Sequence, residues 1–242
     1  MDSKVIPTIM YWIILLALFI PLIHSARSYM PLDLRRKSWH FLVVILFLPT
    51  LAITPSFSRL ALGGAITLFL LMEFIRATTI PPIGKFLHDS LSMYTDARDT
   101  CGPIIVSHIF LILGIALPVL LNGSTPSPAG VICLGLGDST ASLIGRRFGR
   151  HKWPNSSKSI EGTLAMVIAM MLGIYLAKST LNFSLTVNLH DDVDDILVVN
   201  NTYSSLDNVG LPQILTVTVL TSLLEGIGEI NDNIIVPLYM WI

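Results

Sequence analysis

Eight apolar segments constrain this chain more than any other feature of its sequence. They cover residues 5–24, 38–54, 58–76, 103–121, 128–144, 159–177, 210–226 and 233–242, the last of which is short. About 20 apolar residues cross the hydrocarbon core as a helix, and a backbone in lipid must satisfy its own hydrogen bonds. The pattern therefore predicts an all-α fold, a polytopic membrane helix bundle with about seven or eight transmembrane helices.

Composition agrees with a membrane protein. Hydrophobic residues make up 52% of the 242 residues and charged residues 13%, whereas a soluble domain carries about 25% charged residues. The net charge of −1 gives no electrostatic basis for a nucleic-acid partner. The first segment is longer than the apolar run of a signal peptide, and we expect it to be retained as a helix.

The distribution of Lys and Arg predicts the orientation of the bundle. If residues 26–37 are cytosolic, alternation of the segments also places residues 77–102 and 145–158 in the cytosol. All of the 15 Lys and Arg residues except Lys4, Arg59 and Lys178 then lie at or beside the cytosolic face.

The segment 178–209 falls on the opposite, lumenal side. It carries several aspartates and two N-x-S/T sequons, at Asn182 and Asn200, and sequons are modified only where glycosylation enzymes reach them. A further sequon at Asn155 lies on the predicted cytosolic side and is expected to stay unmodified.

Asp138 and His40 are ionisable residues inside apolar segments, where such groups are costly and usually functional. Asp138 lies among glycines and hydroxyl residues in the sequence GLGDSTAS, and a helix-packing face explains those small neighbours but not the carboxylate. His40 follows the basic sequence RRKSW. Anchoring at the cytosolic interface explains the basic residues but not the histidine.

A basic loop follows Asp138. Arg146, Arg147, Arg150, Lys152 and Lys158 precede a helix predicted to open near Ser159. Arginine clamps phosphate oxygens, lysine adds a point charge, and a helix N-terminus offers free N–H groups. The loop is therefore a candidate polyphosphate site, although binding to anionic lipid headgroups is the alternative, and no P-loop motif is present.

Acidic residues could complete such a site. Glu225 and Asp232 near the C-terminus, with Asp138 and Glu161, are candidate ligands of Mg²⁺ or another divalent cation, which carboxylates and phosphates hold together. An interfacial helix end is the alternative for the first two. Asp99 and His108 flank the start of the fourth segment, either as a capping turn and a core histidine or as functional residues.

These motifs together resemble those of the CTP-dependent polyprenol kinases, and of their dolichol kinase branch in particular. The resemblance runs from about Arg35 to the C-terminus and is carried by RKSWH (36–40), DTCGPIIVSH (99–108), GDSTAS (137–142), GRRFG (145–149), Trp153 with KSIEGT (158–163), and residues 222–238.

The resemblance implies transfer of the γ-phosphoryl group of CTP to the hydroxyl of dolichol, giving dolichyl phosphate for protein N-glycosylation. Asp138, His40 and Glu161 are the implied catalytic residues, with either Asp138 or His40 as general base. The implied CTP-binding residues are Arg146, Arg147, Arg150, Lys152, Trp153, Asn155, Lys158, Ser159, Gly162 and Thr163.

The resemblance also implies a location, a multi-pass protein of the endoplasmic reticulum membrane whose CTP site faces the cytosol. Residues 1–34 would form an N-terminal helix and linker, and residues 35–242 the catalytic domain. The family generally has more N-terminal spans, so the chain reads as a fragment, an isoform or a short paralogue. A phytol or farnesol kinase, a transporter and a non-enzymatic scaffold remain the alternatives.

Overall fold

A computed structural model describes residues 3–26, 28–91, 104–122, 126–188, 210–228 and 232–241. Within these ranges the chain forms α-helices and one π-helical segment, and no strand. The elements are α1 (Val5–Ala26), α2 (Leu32–Ile53), α3 (Pro55–Ala77), α4 (Ile83–Leu91), α5 (Val106–Leu121), the π-helical segment (Val131–Asp138), α6 (Ser139–Phe148), α7 (Ile160–Asn188), α8 (Leu211–Ile227) and α9 (Asp232–Trp241). The all-α prediction is confirmed for the described residues.

Four of the described helices are long and apolar enough to cross a membrane. They are α1, α2, α3 and the part of α7 from Ile160 to Thr180, while α5 and α8 are apolar but shorter. Their length and composition indicate a multi-pass membrane protein. The predicted seven or eight spans stay a prediction.

The π-helical segment lies at the centre of the bundle. Val131, Ile132, Cys133 and Leu134 are at most 2% exposed. Around them pack apolar residues of α2, α5 and α7, among them Val44, Leu48, Ile115, Ala116, Met166 and Met170. Asp138, the last residue of the segment, is therefore held by a close-packed core.

The structure corrects three predicted boundaries. Residues 128–144 do not form one regular helix, because Val131–Asp138 is a π-helix that becomes α-helical at Ser139. Residues 77–102, predicted as a loop, include α4. The helix predicted to begin at Pro103 begins at Val106, where the Glu73 carboxylate of α3 accepts the N–H of the preceding Ile105.

Candidate active site

One cavity of about 710 Å³ opens among α2, α3, α5, the π-helical segment and the α6–α7 loop. The basic residues on its wall come from the start of α2, the end of α6 and the α6–α7 loop: Arg36, Lys37, Arg146, Lys152 and Lys158. Its apolar residues lie mostly farther along the helices and include Val43, Phe69, Leu111, Ile112 and Ile115. The helical rise of 1.5 Å per residue puts Ile115 about 10 Å beyond the first turn of α5. The cavity thus joins a basic mouth to an apolar interior.

Asp138 lies on this wall against two side chains of α2. The Lys37 ammonium is 2.5 Å from Asp138 Oδ2, and His40 Nδ1 is 3.6 Å from the same oxygen, just beyond hydrogen-bond distance. Residues three apart share one face of a helix, so α2 presents both groups together. The lysine compensates a largely enclosed carboxylate, whose burial alone would be costly.

A second lysine–carboxylate pair lies on the same wall. Lys158 Nζ is 2.9 Å from Glu225 Oε1 and donates a 2.5 Å hydrogen bond to the Glu225 backbone carbonyl. Glu225 is only 8% exposed, near the end of α8. Two predicted functional residues from distant parts of the sequence are thereby in direct contact.

The α6–α7 loop folds back on itself. Lys152 and Ser159 form an antiparallel bridge, and the Trp153 N–H donates to the Lys158 carbonyl at 3.1 Å. Asn155 lies in the turn with a φ of 57°, a left-handed conformation that asparagine tolerates better than most residues. The Trp153 indole donates to Thr163 Oγ1 at 2.9 Å, which ties the loop to α7.

The first turn of α7 packs closely against α6. Ser159 is 4% exposed, and its hydroxyl accepts the Gly162 N–H at 3.1 Å, as an N-cap does. A methyl group at position 162 would lie 2.8 Å from the carbonyl oxygen of Ala141. Gly162 therefore permits the contact that brings Ser159 and Thr163 onto the cavity wall.

Five of the predicted residues that the structure describes do not line the cavity. Trp153 and Asn155 of the folded loop are two of them, and Glu161, Arg147 and Arg150 are the other three. The Glu161 carboxylate accepts the His151 backbone N–H at 3.1 Å and lies 2.8 Å from His151 Nδ1. The Arg147 guanidinium covers the Phe148 ring, and Arg150 is exposed. None of the three is among the described residues that line the cavity.

The remaining predicted residues divide between the cavity and the undescribed parts of the chain. Arg146 lines the cavity and pairs with Asp33. His108 lines it from the first turn of α5. Asp99 lies outside the described residues, and so does the side chain of Asp232.

The amino-acid sequence of the chain is similar to those of curated dolichol kinases. No family model matches the chain, and no solved structure matches it. It is 36% identical to the dolichol kinase of Schizosaccharomyces pombe over 98% of its own length and 46% of the relative's. It is 36% identical to the dolichol kinase of Saccharomyces cerevisiae, over 96% of this chain and 40% of the relative. It is 30% identical to the dolichol kinase of Homo sapiens, over 90% of this chain and 39% of the relative. The resemblance to dolichol kinases is confirmed. The chain spans less than half the length of these curated dolichol kinases.

The cavity of this dolichol kinase relative offers carboxylates for the predicted cation. Among the described residues, no group of three or more His, Cys, Asp and Glu side chains converges as a metal site. Magnesium at phosphoryl-transfer sites needs only one or two carboxylates, because phosphates and water complete its coordination. Asp138 and Glu225, which line the same cavity, fit this requirement, whereas Glu161 does not line it.

Sequence reasoning missed two charged residues here. Lys37 was explained as a cytosolic anchor, yet its ammonium contacts Asp138; the signal was its spacing of three from His40. Glu73 lies inside a predicted span and is 3% exposed, and no role was predicted for it from the sequence. Its intramembrane position was the signal that could have found it.

Proposed function

We propose that this chain carries the catalytic site of a dolichol kinase, within residues 35–242. In this proposal the γ-phosphoryl group of CTP is transferred to the hydroxyl of dolichol, and the product is dolichyl phosphate for protein N-glycosylation. The observation that carries the proposal is the cavity itself. A water-soluble polyphosphate and a membrane alcohol can meet only where a basic mouth opens into an apolar interior, and Asp138 lies on the wall of that space.

The basic mouth suits the triphosphate. Lys152, Lys158 and Arg146 line it, and the first turn of α7 adds a helix N-terminus. Lys158 would exchange its Glu225 carboxylate for phosphate oxygens as the nucleotide binds. Trp153 and Asn155 shape the loop, while Arg147 and Arg150 add positive charge at its outer edge.

The apolar interior suits the lipid. The end of the polyprenyl chain that carries the hydroxyl would lie among Phe69, Leu111 and Ile112, with the oxygen toward Asp138. That oxygen forms a bond to the γ-phosphorus, the bond from that phosphorus to the β–γ bridging oxygen breaks, and CDP leaves. The hydroxyl proton passes to Asp138 or to His40 as general base.

Asp138 and Glu225 would hold the divalent cation beside the phosphates. Bound there, Mg²⁺ neutralises negative charge that develops on the transferred group and the leaving group. The lysines of the mouth act on the same charge from the protein side, so positioning and electrostatics provide most of the catalysis.

The proposal includes a location and an orientation. We place the chain in the endoplasmic reticulum membrane with the basic mouth toward the cytosol, where CTP is available. Seven spans result if α5, α8 and the π-helical segment with α6 also cross the bilayer, and eight if α9 does so too.

Lys158→Ala tests the nucleotide side of the proposal. Losing a charged contact to phosphate costs about 1.5–3 kcal/mol, so the KM for CTP should rise about ten- to a hundredfold while the KM for dolichol changes little. The measurement is transfer of labelled γ-phosphate from CTP to dolichol by purified protein in lipid. Lys85→Ala, an exposed lysine of α4, is the matched control and should behave as wild type.

Other results identify the alternatives. Phosphorylation of C15 to C20 alcohols alone would indicate a phytol or farnesol kinase. Counterflow uptake without lipid phosphorylation would indicate a transporter, and the absence of a thermal shift with CTP would indicate a scaffold. An unchanged KM for CTP in Lys158→Ala would indicate that the basic loop binds anionic lipid headgroups and not the nucleotide.

A further inference from the structure

A buried ion pair near the end of α3 takes no part in the proposed chemistry. Glu73 is 3% exposed and Arg76 is 6% exposed. Arg76 Nε donates to Glu73 Oε2 at 2.8 Å, and Arg76 Nη2 donates to Oε1 at 2.6 Å. A buried pair of charges adds little stability by itself, because desolvation offsets the attraction. Its contacts with other elements indicate what it does.

The pair joins three elements. Glu73 Oε1 also accepts the backbone N–H of Ile105, the residue immediately before α5, at 2.6 Å. Arg76 Nη1 lies 3.3 Å from His88 Nδ1 of α4. The first N–H groups of a helix have no partner within the helix, and the helix dipole favours a negative charge there. The Glu73 carboxylate meets both requirements at the start of α5.

Helix α3 holds the other end of α5 as well. Arg59, near the start of α3, donates to the carbonyls of Val119 at 3.3 Å and Asn122 at 2.5 Å. These carbonyls lie at the end of α5, where a positive charge is favourable. Helix α3 thus contacts the antiparallel helix α5 at both ends. At each end the charge of the α3 side chain is opposite to the partial charge of the α5 dipole.

The start of α5 matters because its first turn belongs to the cavity. Ser107 and His108 line the cavity, and Phe69, one turn before Glu73, meets the His108 ring edge-on with centroids 6.2 Å apart. A shift of α5 by one residue would move these groups about 1.5 Å along the axis and about 100° around it. We infer that Glu73 is a positioning residue, which fixes where α5 begins and so keeps Ser107 and His108 on the cavity wall, next to the proposed lipid-binding residues Phe69 and Leu111.

The inference rests on the proposed function for its kinetic readout only. Two uncharged double variants test it, so that neither leaves an unpaired charge in the interior. Glu73→Gln with Arg76→Met keeps an oxygen acceptor for the Ile105 N–H, and Glu73→Leu with Arg76→Met removes it. The Leu/Met variant should raise the KM for dolichol about tenfold or more through misplacement of the wall, with the KM for CTP within about twofold. The Gln/Met variant should restore the KM for dolichol.

Amide hydrogen exchange over residues 104–108 gives a readout that needs no activity. Exchange should be faster in the Leu/Met variant than in the Gln/Met variant. Arg59→Met is the control at the other end of α5, and it should lower thermal stability without raising the KM for dolichol. If the Leu/Met variant does not fold, Glu73→Asp, which withdraws the acceptor by one carbon, takes its place.

Two outcomes are informative in different ways. Equal KM values for dolichol and equal exchange rates in the acceptor-containing and acceptor-free variants would overturn the positioning role. A wild-type protein that phosphorylates no polyprenol would instead defeat the proposed function, and the exchange comparison would still decide the role of Glu73.

Discussion

At the scale of single residues, Asp138 concentrates the chemistry of the cavity. Lys37 and His40 both approach Oδ2, and both come from one turn of α2. A carboxylate held in this way keeps a fixed orientation. The Lys37 ammonium favours the ionised form of this carboxylate. A substitution that preserves the shape of Asp138 can test whether it holds the cation or receives the alcohol proton, as proposed above.

Asp138→Asn keeps the shape of the side chain and removes a charge that costs about 2.5–3.5 kcal/mol in a membrane segment. It also removes the carboxylate partner of Lys37, so the amount of folded protein is measured for the variant and for wild type. Phosphorylation of dolichol by CTP should nevertheless fall by about 10²–10⁴-fold, the usual effect of a lost general base. The assay compares purified variant and wild type at matched protein levels. Asp89→Asn, at an exposed aspartate of α4, is the control. If Asp138→Asn kept activity within about tenfold of wild type, Asp138 would have a packing role and no catalytic one.

The sequence revealed some of these residues and concealed others for physical reasons. Asp138 and His40 were predictable because ionisable groups in apolar segments are costly. Lys37 was concealed because cytosolic anchoring already explains a basic residue at the border of a span. Which lysine meets which carboxylate depends on contacts between α2 and the π-helical segment, and no local pattern encodes those contacts.

At the scale of elements, the departure from regular helix at residues 131–138 sets the direction of Asp138. The apolar run predicted that a helix exists there, but period and composition do not distinguish a π-helical turn from an α-helical one. π-Helical turns are rare and recur at functional sites. The first residue of α5 could not be predicted from the local sequence either, since it depends on the Glu73 carboxylate of α3.

The contact of α6 with α7 gives an element-scale prediction. Gly162→Ala would place a methyl group 2.8 Å from the Ala141 carbonyl oxygen, and such overpacking costs about 1–3 kcal/mol. The melting temperature in detergent should fall and the KM for CTP should rise, because Ser159 and Thr163 move with the first turn of α7.

Gly63→Ala is the matched control for this substitution. A methyl group there meets no described atom within 4 Å, and alanine in a helix is about 1 kcal/mol more favourable than glycine. This variant should be as stable as wild type or slightly more so. A Gly162→Ala protein with unchanged melting temperature and KM would show that the close approach of the helices is not required.

At the scale of the whole molecule, the cavity collects residues that lie more than a hundred positions apart. The distribution of basic residues predicted one functional face, and the wall of the cavity draws Lys37, Asp138, Lys158 and Glu225 from four regions of the chain. Topology alone could not show that these residues enclose a common space with an apolar interior.

The orientation of the whole bundle is testable through its sequons. In microsomes, glycans are expected at Asn182 or Asn200 and not at Asn155, because the basic mouth should face the cytosol. Asn122 heads a third sequon on the lumenal side and is also open to modification. A mobility shift that glycosidase removes detects the modification, and Asn→Gln at each sequon assigns it. A glycan on Asn155 would invert the orientation and put the basic mouth in the lumen.

The two lysine–carboxylate pairs of the cavity have a consequence for turnover. Lys37 and Lys158 each have a carboxylate partner within 3 Å, so a nucleotide that contacts either of these two lysines must compete with an intramolecular anion. That competition weakens the binding of every nucleotide, and it weighs most on the one with the fewest phosphate charges. Under the proposed function, CDP should therefore leave the cavity more readily than CTP, and this difference needs no movement of a lid or loop.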